Sequence, residues 1–301
     1  MNRRRFLLGS AAALPALAAP AGPRCVFPSE PRARLAVASY PFRKDVNPAN
    51  GALKLLDFPK MVVERYQVRG IEPLDEHFPS TEPAYLAEFR AALQKTGTHV
   101  VNIPVGRLHG SFYDPDASKR AVAVENARKW VDVAVALGSP SIRVHIQAVK
   151  GVPPDAVRAA AALAEVARYG REKNIVINLE NDDPASEDAP FILAVIDRAA
   201  TPWLRALPDF CNSMLLNKGD SYNYESVTGM FRRACNISHA KEIETDEGKV
   251  FRVDVAKTFA IAEHAGYRGY FSMEWDSDGD PYAGTQHLID LSLAALRSAR
   301  R

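Results

Sequence analysis

From residue 33 onward the chain alternates between short β-rich runs and longer stretches with helical periodicity, eight times over. The β-rich runs fall at 35–40, 70–74, 99–104, 141–146, 175–180, 205–210, 237–241 and 270–275. Helical patterns lie between them, clearest at 85–95, 117–137, 154–173, 191–200, 255–265 and 285–298. The connections at 43–54 and 213–223 are longer and more polar. A strand followed by a helix and then another strand is the signature of parallel pairing, because parallel neighbours need a long crossover. Eight such units in residues 33–301, with no linker dividing them, predict one α/β domain closed into a (β/α)8 TIM barrel, a fold of typically ~250 residues. An open doubly wound sheet would carry a glycine-rich phosphate turn after its first strand. Here that strand runs into Tyr40-Pro41-Phe42-Arg43.

Residues 1–30 stand apart from this pattern. Arg3, Arg4 and Arg5 precede an apolar run from Phe6 to Ala19, and the small residues Ala16 and Ala18 are placed for signal-peptidase cleavage. The run is too short, and too interrupted by proline, for a secure membrane span. Arg-Arg-Arg-Phe-Leu resembles a twin-arginine (Tat) export signal. It predicts the Tat machinery as a partner and a periplasmic location. Tat substrates cross the membrane folded, which suits a cofactor loaded beforehand.

Charge excludes one class of partner. The three leader arginines exceed the whole chain's formal charge of +2, so the chain beyond residue 18 is formally −1. A near-neutral protein offers no electrostatic footprint for nucleic acid. Cys25, Cys211 and Cys235 are odd in number and have no CxxC spacing, so neither a disulfide framework nor a zinc ribbon is expected.

Barrel enzymes carry their chemistry at the C-terminal ends of the strands, and residues two apart in a strand share a face. In Ile175-Val176-Ile177-Asn178-Leu179-Glu180 the apolar face takes Ile175, Ile177 and Leu179, so Glu180 points into the barrel mouth. The next strand ends on Asp209. The seventh places His239 and Lys241 on one face, and the eighth turns Phe271, Met273 and Trp275 outward and Ser272, Glu274 and Asp276 inward. Glu180, Asp209, His239 and Glu274 thus end four consecutive strands. Three carboxylates crowded together raise one another's pKa values, and a divalent cation resolves the conflict. The oxygen-rich set suits Mn²⁺ first, with Mg²⁺, Zn²⁺, Co²⁺ or Fe²⁺ as alternatives.

The order Glu, Asp, His, Glu on strands five to eight resembles the xylose isomerase-like barrel superfamily, which contains sugar phosphate isomerases and epimerases. The stretches that carry it are Ile177-Asn178-Leu179-Glu180-Asn181, Pro208-Asp209-Phe210, Ser238-His239-Ala240-Lys241 and Gly269-Tyr270-Phe271-Ser272-Met273-Glu274. The resemblance implies a catalytic divalent metal on these four residues and makes Glu180 and Glu274 the acid/base pair. Epimerases of this group usually have a histidine three residues after the strand-six Asp; here that position is Asn212. Dimers or tetramers are common in the group, so a homo-oligomer is also an expectation of the resemblance.

Other polar residues near the mouth are substrate-binding candidates: Arg143 and His145 at the end of strand four, Asn212, Lys241, and His109 in the loop after strand three. Glu72 on strand two is placed deeper in the barrel, without a role. The expected reaction is proton transfer next to a carbonyl through an enediolate, on a free sugar or keto-sugar. If the enediolate expels a leaving group, the same site is a lyase acting on a keto-sugar or glycoside. A non-catalytic periplasmic sugar-binding barrel, or a phosphodiesterase like endonuclease IV, are the remaining readings. The second needs more metal ligands than seven mostly unplaced histidines offer.

Overall fold

The computed structural model describes residues 22–23, 26–106 and 108–298. The twin-arginine segment and Cys25 lie outside the described residues. Among the described residues, no helix is long and apolar enough to cross a membrane.

Eight parallel strands alternate with eight α-helices around a ring. Strand one (Leu35–Ala38) pairs with strand two (Gly70–Glu72) on one side and strand eight (Tyr270–Met273) on the other, and strand eight pairs with strand seven (Ile237–Ala240). Strand three is split. His99–Val100 pairs with strand two, and Ile103–Val105 pairs with strand four (Ser141–Val144). Strands five (Val176–Glu180) and six (Leu204–Leu207) continue the second arc. The remaining seam is held by two parallel bridges, Ala206 to Ala234 and Asp209 to His239. Pro208, which has no N–H to give, ends strand six; its carbonyl still accepts from the His239 N–H at 3.0 Å. The ring therefore closes where two of the expected metal ligands meet.

Local chemistry explains the helix ends. Asp116 caps Ala117–Leu137 by accepting the Ser118 N–H at 2.8 Å, and the helix stops at left-handed Gly138. Asp155 accepts the N–H groups of Val157 and Arg158 at 3.0 Å and so starts Ala156–Lys173, which ends at left-handed Asn174. The helices lay apolar stripes on the outer face of the strands. Phe271 on strand eight packs between Phe259 and Phe210, with ring centroids 4.3 and 6.1 Å away, and this fixes the strand that leads into Glu274.

The barrel interior is unusually polar. Asn236 donates to Ser141 Oγ at 2.8 Å, Ser141 donates to Asn102, and Asn178 donates to Asn236 at 3.3 Å. A separate small apolar cluster of Ala36, Val101, Leu207 and Ile237 lies inside the ring. Leu207 and Ile237 stand two residues before Asp209 and His239, so they form the layer beneath those ligands. Gly70 is needed at the start of strand two. A Cβ there would come within 2.7 Å of the Leu35 carbonyl oxygen, so any larger residue would push strand two, and Glu72 with it, away from strand one.

Each predicted strand is present, but strand three is split and runs on to Val105, strand six begins one residue early at Leu204 and ends three early at Leu207, and the others are trimmed by one or two residues. One element was not foreseen: an antiparallel hairpin, Ile243–Asp246 with Lys249–Arg252, directly after strand seven. Glu247 and Gly248 turn it with φ of 46° and 79°, the mirror-image geometry that suits the twist of a two-residue hairpin. Cys211 is buried and Cys235 half-buried; neither forms a disulfide.

Candidate metal centre

Glu180, Asp209, His239 and Glu274 each offer a ligand atom, and these atoms all lie within 4.8 Å of one another. All four side chains are buried. His239 Nδ1 lies 2.8 Å from Glu180 Oε1 and 3.2 Å from Glu274 Oε2. Asp209 Oδ1 accepts the N–H groups of Cys211 and Asn212 at 2.7 Å, which fixes the carboxylate. Its Oδ2 is buried without a hydrogen-bond partner, with Lys241 Nζ 3.7 Å away. A buried carboxylate oxygen with nothing to accept is costly unless a cation answers it. These residues fit a hard divalent ion bound by oxygen and one imidazole.

His239 is aimed by a fifth residue. Its Nε2 lies 3.1 Å from both Glu72 oxygens, and Glu72 Oε1 also accepts from Asn102 Nδ2 at 2.8 Å. A carboxylate behind a ligating imidazole fixes the ring and its tautomer, and here it leaves Nδ1 for the ion. Glu72→Gln is therefore expected to weaken metal binding about 10–100-fold while the fold persists, read by titrating the metal-free variant with Mn²⁺. Unchanged affinity would show that Glu72 has no part in aiming the ring.

Without an ion, these buried groups hold one another's charge states. Burial opposes charge on His239, but Glu180, Glu274 and Glu72 outweigh it and hold the imidazole well above its ordinary pKa. Burial raises Glu274, but His239, Lys241 and Arg143 overcome that and bring it below the usual carboxylate range. Asp209 goes the other way. Burial, with Glu274 and Glu180 nearby and only partly offset by Lys241, pushes it up to about 8. Protons are thus held on both His239 and Asp209 in a crowded cluster, and their titration belongs to the cluster as a whole.

The site opens into a cavity of about 230 Å³ at the C-terminal ends of the strands. Arg143, His145, Asn212 and Lys241 line it, as the sequence suggests. Arg143 Nε is 2.8 Å from Glu180 Oε2, but its N–H is not aimed at that oxygen, so the contact is Coulombic and not a hydrogen bond. Lys241 Nζ lies 3.2 Å from Glu274 Oε2 and donates to Asn212 Oδ1 and Glu244 Oε2, each at 2.9 Å. Each of the two expected acid/base carboxylates therefore has a cation beside it.

His109 is not brought to the site. It is exposed, has a φ of 53° and is absent from the cavity lining. Its loop turns to bury Leu108, Phe112 and Tyr113, and Asn126 pins the Leu108 carbonyl at 2.7 Å, which sends His109 to solvent. Three lining residues had no signal as site residues in the sequence, Tyr40, Asp182 and Glu244, and a fourth, Asp276, was turned inward there without being given a role. Glu244 arrives on the unforeseen hairpin. Asp276 does share the inward face of strand eight with Glu274, and it is held by the Tyr40 hydroxyl and Arg43, each at 2.9 Å. A larger groove of about 710 Å³, lined mainly by apolar residues such as Phe259 and Leu291, lies at the opposite end of the barrel, where no such cluster is found among the described residues.

The model of one family, described as xylose isomerase-like TIM barrel, matches residues 62–298. Solved structures share the fold at low identity. A xylose isomerase-like TIM barrel protein from Mycobacterium smegmatis, in complex with magnesium, superposes with a TM-score of 0.67 at 17% identity, over 89% of this chain and 99% of that one. L-ribulose 3-epimerase gives a TM-score of 0.71 at 20% identity, over 89% and 96%. The 3-keto-D-glucoside 4-epimerase from E. coli gives 0.62 at 15%, over 88% and 99%. No curated protein matches the chain by sequence.

Proposed function

The chain belongs to the xylose isomerase-like TIM barrel family, and from that premise we propose that it is a divalent-metal-dependent sugar isomerase or epimerase. The observation that carries this reading is the convergence of Glu180, Asp209, His239 and Glu274 on one point at the floor of a small polar cavity. Two of the structural relatives bear the names of sugar 3- and 4-epimerases, which supports the same class of chemistry.

Glu180, Asp209, His239 and Glu274 would hold the divalent ion, which would supply the positive charge that acidifies a C–H beside a carbonyl. Glu180 and Glu274 handle the proton. Arg143 stands beside the first and Lys241 beside the second. One, starting as the carboxylate, removes the proton to give an enediolate; the other, starting as the carboxylic acid, delivers its own proton on the opposite face or at the neighbouring carbon, and exchange with solvent restores both. Lys241, held by Asn212 and Glu244, places its positive charge on the cavity wall beside Glu274, where it favours negative charge developing on a substrate oxygen.

The substrate is an uncharged sugar or keto-sugar of monosaccharide size. The cavity is smaller than the roughly 300–1,000 Å³ that drug-sized ligands fill. The cations around it already face carboxylates: Arg143 faces Glu180, Lys241 faces Glu244, His145 faces Glu187 and Arg43 faces Asp276. A phosphate would have to break one of these pairs. Mn²⁺ is the favoured ion.

The test is elemental analysis of the purified protein beside Asp209→Ala/His239→Ala, followed by a screen of uncharged sugars for deuterium uptake from D2O. One divalent ion per chain, lost in the double variant, with deuterium entering one sugar, is the expected result. No bound ion after incubation with Mn²⁺, Zn²⁺ and Co²⁺ would end the metal reading and favour a sugar-binding barrel. Export through the Tat route is part of the proposal. Arg4→Lys/Arg5→Lys is expected to hold the protein in the cytoplasm, and unchanged periplasmic recovery on fractionation would exclude that route.

A further inference from the structure

Epimerisation needs two proton-handling groups at carbon, and Glu180 and Glu274 supply them. The cavity holds a third that this chemistry does not use. His145 follows strand four, with its Nδ1 2.8 Å from Glu187 Oε2 and its Nε2 on the cavity side, 3.2 Å from Asp182 Oδ2. Glu187 is buried. Its Oε1 accepts the Ile146 N–H at 2.6 Å, and its Oε2 also accepts the Asp183 N–H at 3.3 Å. The carboxylate is therefore locked on one side of the ring. A buried carboxylate on Nδ1 fixes the tautomer, stabilises the imidazolium and presents Nε2–H to whatever lies in the cavity.

A second metal site is the competing use of these groups, since His145, Asp182 and Glu187 also lie close together. Glu187, however, has both oxygens engaged with N–H donors. That leaves an ion only His145 Nε2 and Asp182, fewer than the three protein ligands a catalytic site usually keeps.

We propose that His145 is a catalytic proton donor to a substrate oxygen, with Glu187 as its positioning residue, and that this gives the site, beside proton transfer at carbon, a lyase activity on keto-sugars carrying an oxygen substituent β to the carbonyl. The proposal rests on the carbon-acid reading of Glu180 and Glu274. One of those carboxylates takes the proton α to the carbonyl, and the C–H electron pair forms the enediolate. Those electrons then form the α,β double bond as the β carbon–oxygen bond breaks. The leaving oxygen takes the His145 Nε2 proton as it departs. Substrate becomes an unsaturated ketone plus an alcohol, with no change of oxidation state overall. The carboxylic acid then returns its proton to His145 through solvent.

The test uses the metal-loaded full chain with two 3-keto-glucosides, in which the C1 oxygen is β to the C3 carbonyl. One carries methoxy at C1 and the other 4-nitrophenoxy. Alcohol release and deuterium exchange at C2 are followed together in D2O. Wild type is expected to release methanol. In His145→Asn the ratio of methanol released to deuterium exchanged falls by about 10²–10⁴-fold, the usual range for a positioned general acid. With 4-nitrophenoxide, which leaves without a proton, the same ratio falls less than about tenfold. Glu187→Gln is expected to show the same leaving-group dependence, which a merely structural loss does not produce. If the two leaving groups suffer equally in both variants, His145 is no proton donor. Exchange by wild type without alcohol release overturns this inference alone. Absence of any exchange by wild type, on these or any other sugar, overturns the carbon-acid reading and this one with it.

Discussion

Glu180→Gln and Glu274→Gln, each loaded with metal, are expected to lose epimer formation by at least about 10²–10⁴-fold, and to differ in what survives. Glutamine keeps the shape of glutamate and one oxygen but cannot take a proton. In a two-base site each carboxylate serves one face of the substrate carbon. With one epimer as substrate, loss of the base on the proton's side stops deuterium exchange altogether. Loss of the other still permits exchange, but the configuration no longer inverts. With the opposite epimer the two variants trade places. The site has this symmetry: Arg143 lies 2.8 Å from Glu180 and Lys241 3.2 Å from Glu274, so each carboxyl has a cation beside it whichever of the two starts as the base. The measurement is proton NMR of the sugar in D2O with each variant and each epimer. Full epimerisation by either variant would end the two-carboxylate mechanism, even with the metal bound.

The parts of this site that the sequence shows are those governed by strand periodicity. Glu180 and Glu274 could be aimed inward because Ile177, Leu179, Phe271 and Met273 alternate with them and must face the helices. His239 followed from the same rule, sharing a face with Lys241, whereas Asp209 was read only as the residue that ends strand six, and Pro208 cuts that strand before Asp209 is reached. Glu72 was visible only as an acid on a strand. Strand two has three residues, all buried, so alternation has nothing to read. Its role depends on His239, 167 residues away, turning Nε2 toward it across the barrel.

Residues delivered by loops escaped for a different reason. Glu187 is a loop acid in sequence, and only the fold sets it beneath the Ile146 amide and the His145 ring. Glu244 lies in Glu242-Ile243-Glu244-Thr245-Asp246-Glu247-Gly248-Lys249, a stretch that reads as a polar connection. The hairpin signal there was the Glu-Gly pair, a weaker marker than Asn-Gly or Asp-Gly. His109 shows the converse error. Its position after strand three placed it near the mouth, but burial of Leu108, Phe112 and Tyr113 on either side decided where its own side chain could go.

Removing the metal is expected to cost stability as well as activity, and by an amount that depends on pH. A ligand that binds only the folded chain at a hundred times its Kd stabilises by about 2.7 kcal/mol, which for a domain of this size is a rise in Tm of about 5–10 °C. The pH dependence comes from Asp209. Burial beside Glu274 and Glu180 pushes it up to about 8 in the ion-free protein, whereas in an unfolded chain an aspartate titrates near ~3.9. Between those values the ion-free folded state holds a proton that the unfolded state has released. Its stability from this group therefore falls as pH rises from about 4 toward 8. With the ion bound, Asp209 is a carboxylate ligand and that loss disappears. The gap in Tm between Mn²⁺-loaded and chelator-stripped protein is thus expected to widen from pH 6 to pH 8, and metal uptake near pH 7 is expected to release protons. Differential scanning fluorimetry at fixed Mn²⁺, with calorimetric titration in buffers of different ionisation enthalpy, reads both. A gap that stays constant over this range, or uptake without proton release, would show that Asp209 does not hold a proton. In Asp209→Asn, with no carboxyl left to titrate at that position, the widening and the proton release are expected to shrink to the share that His239 contributes when its Nδ1 gives up a proton to the ion.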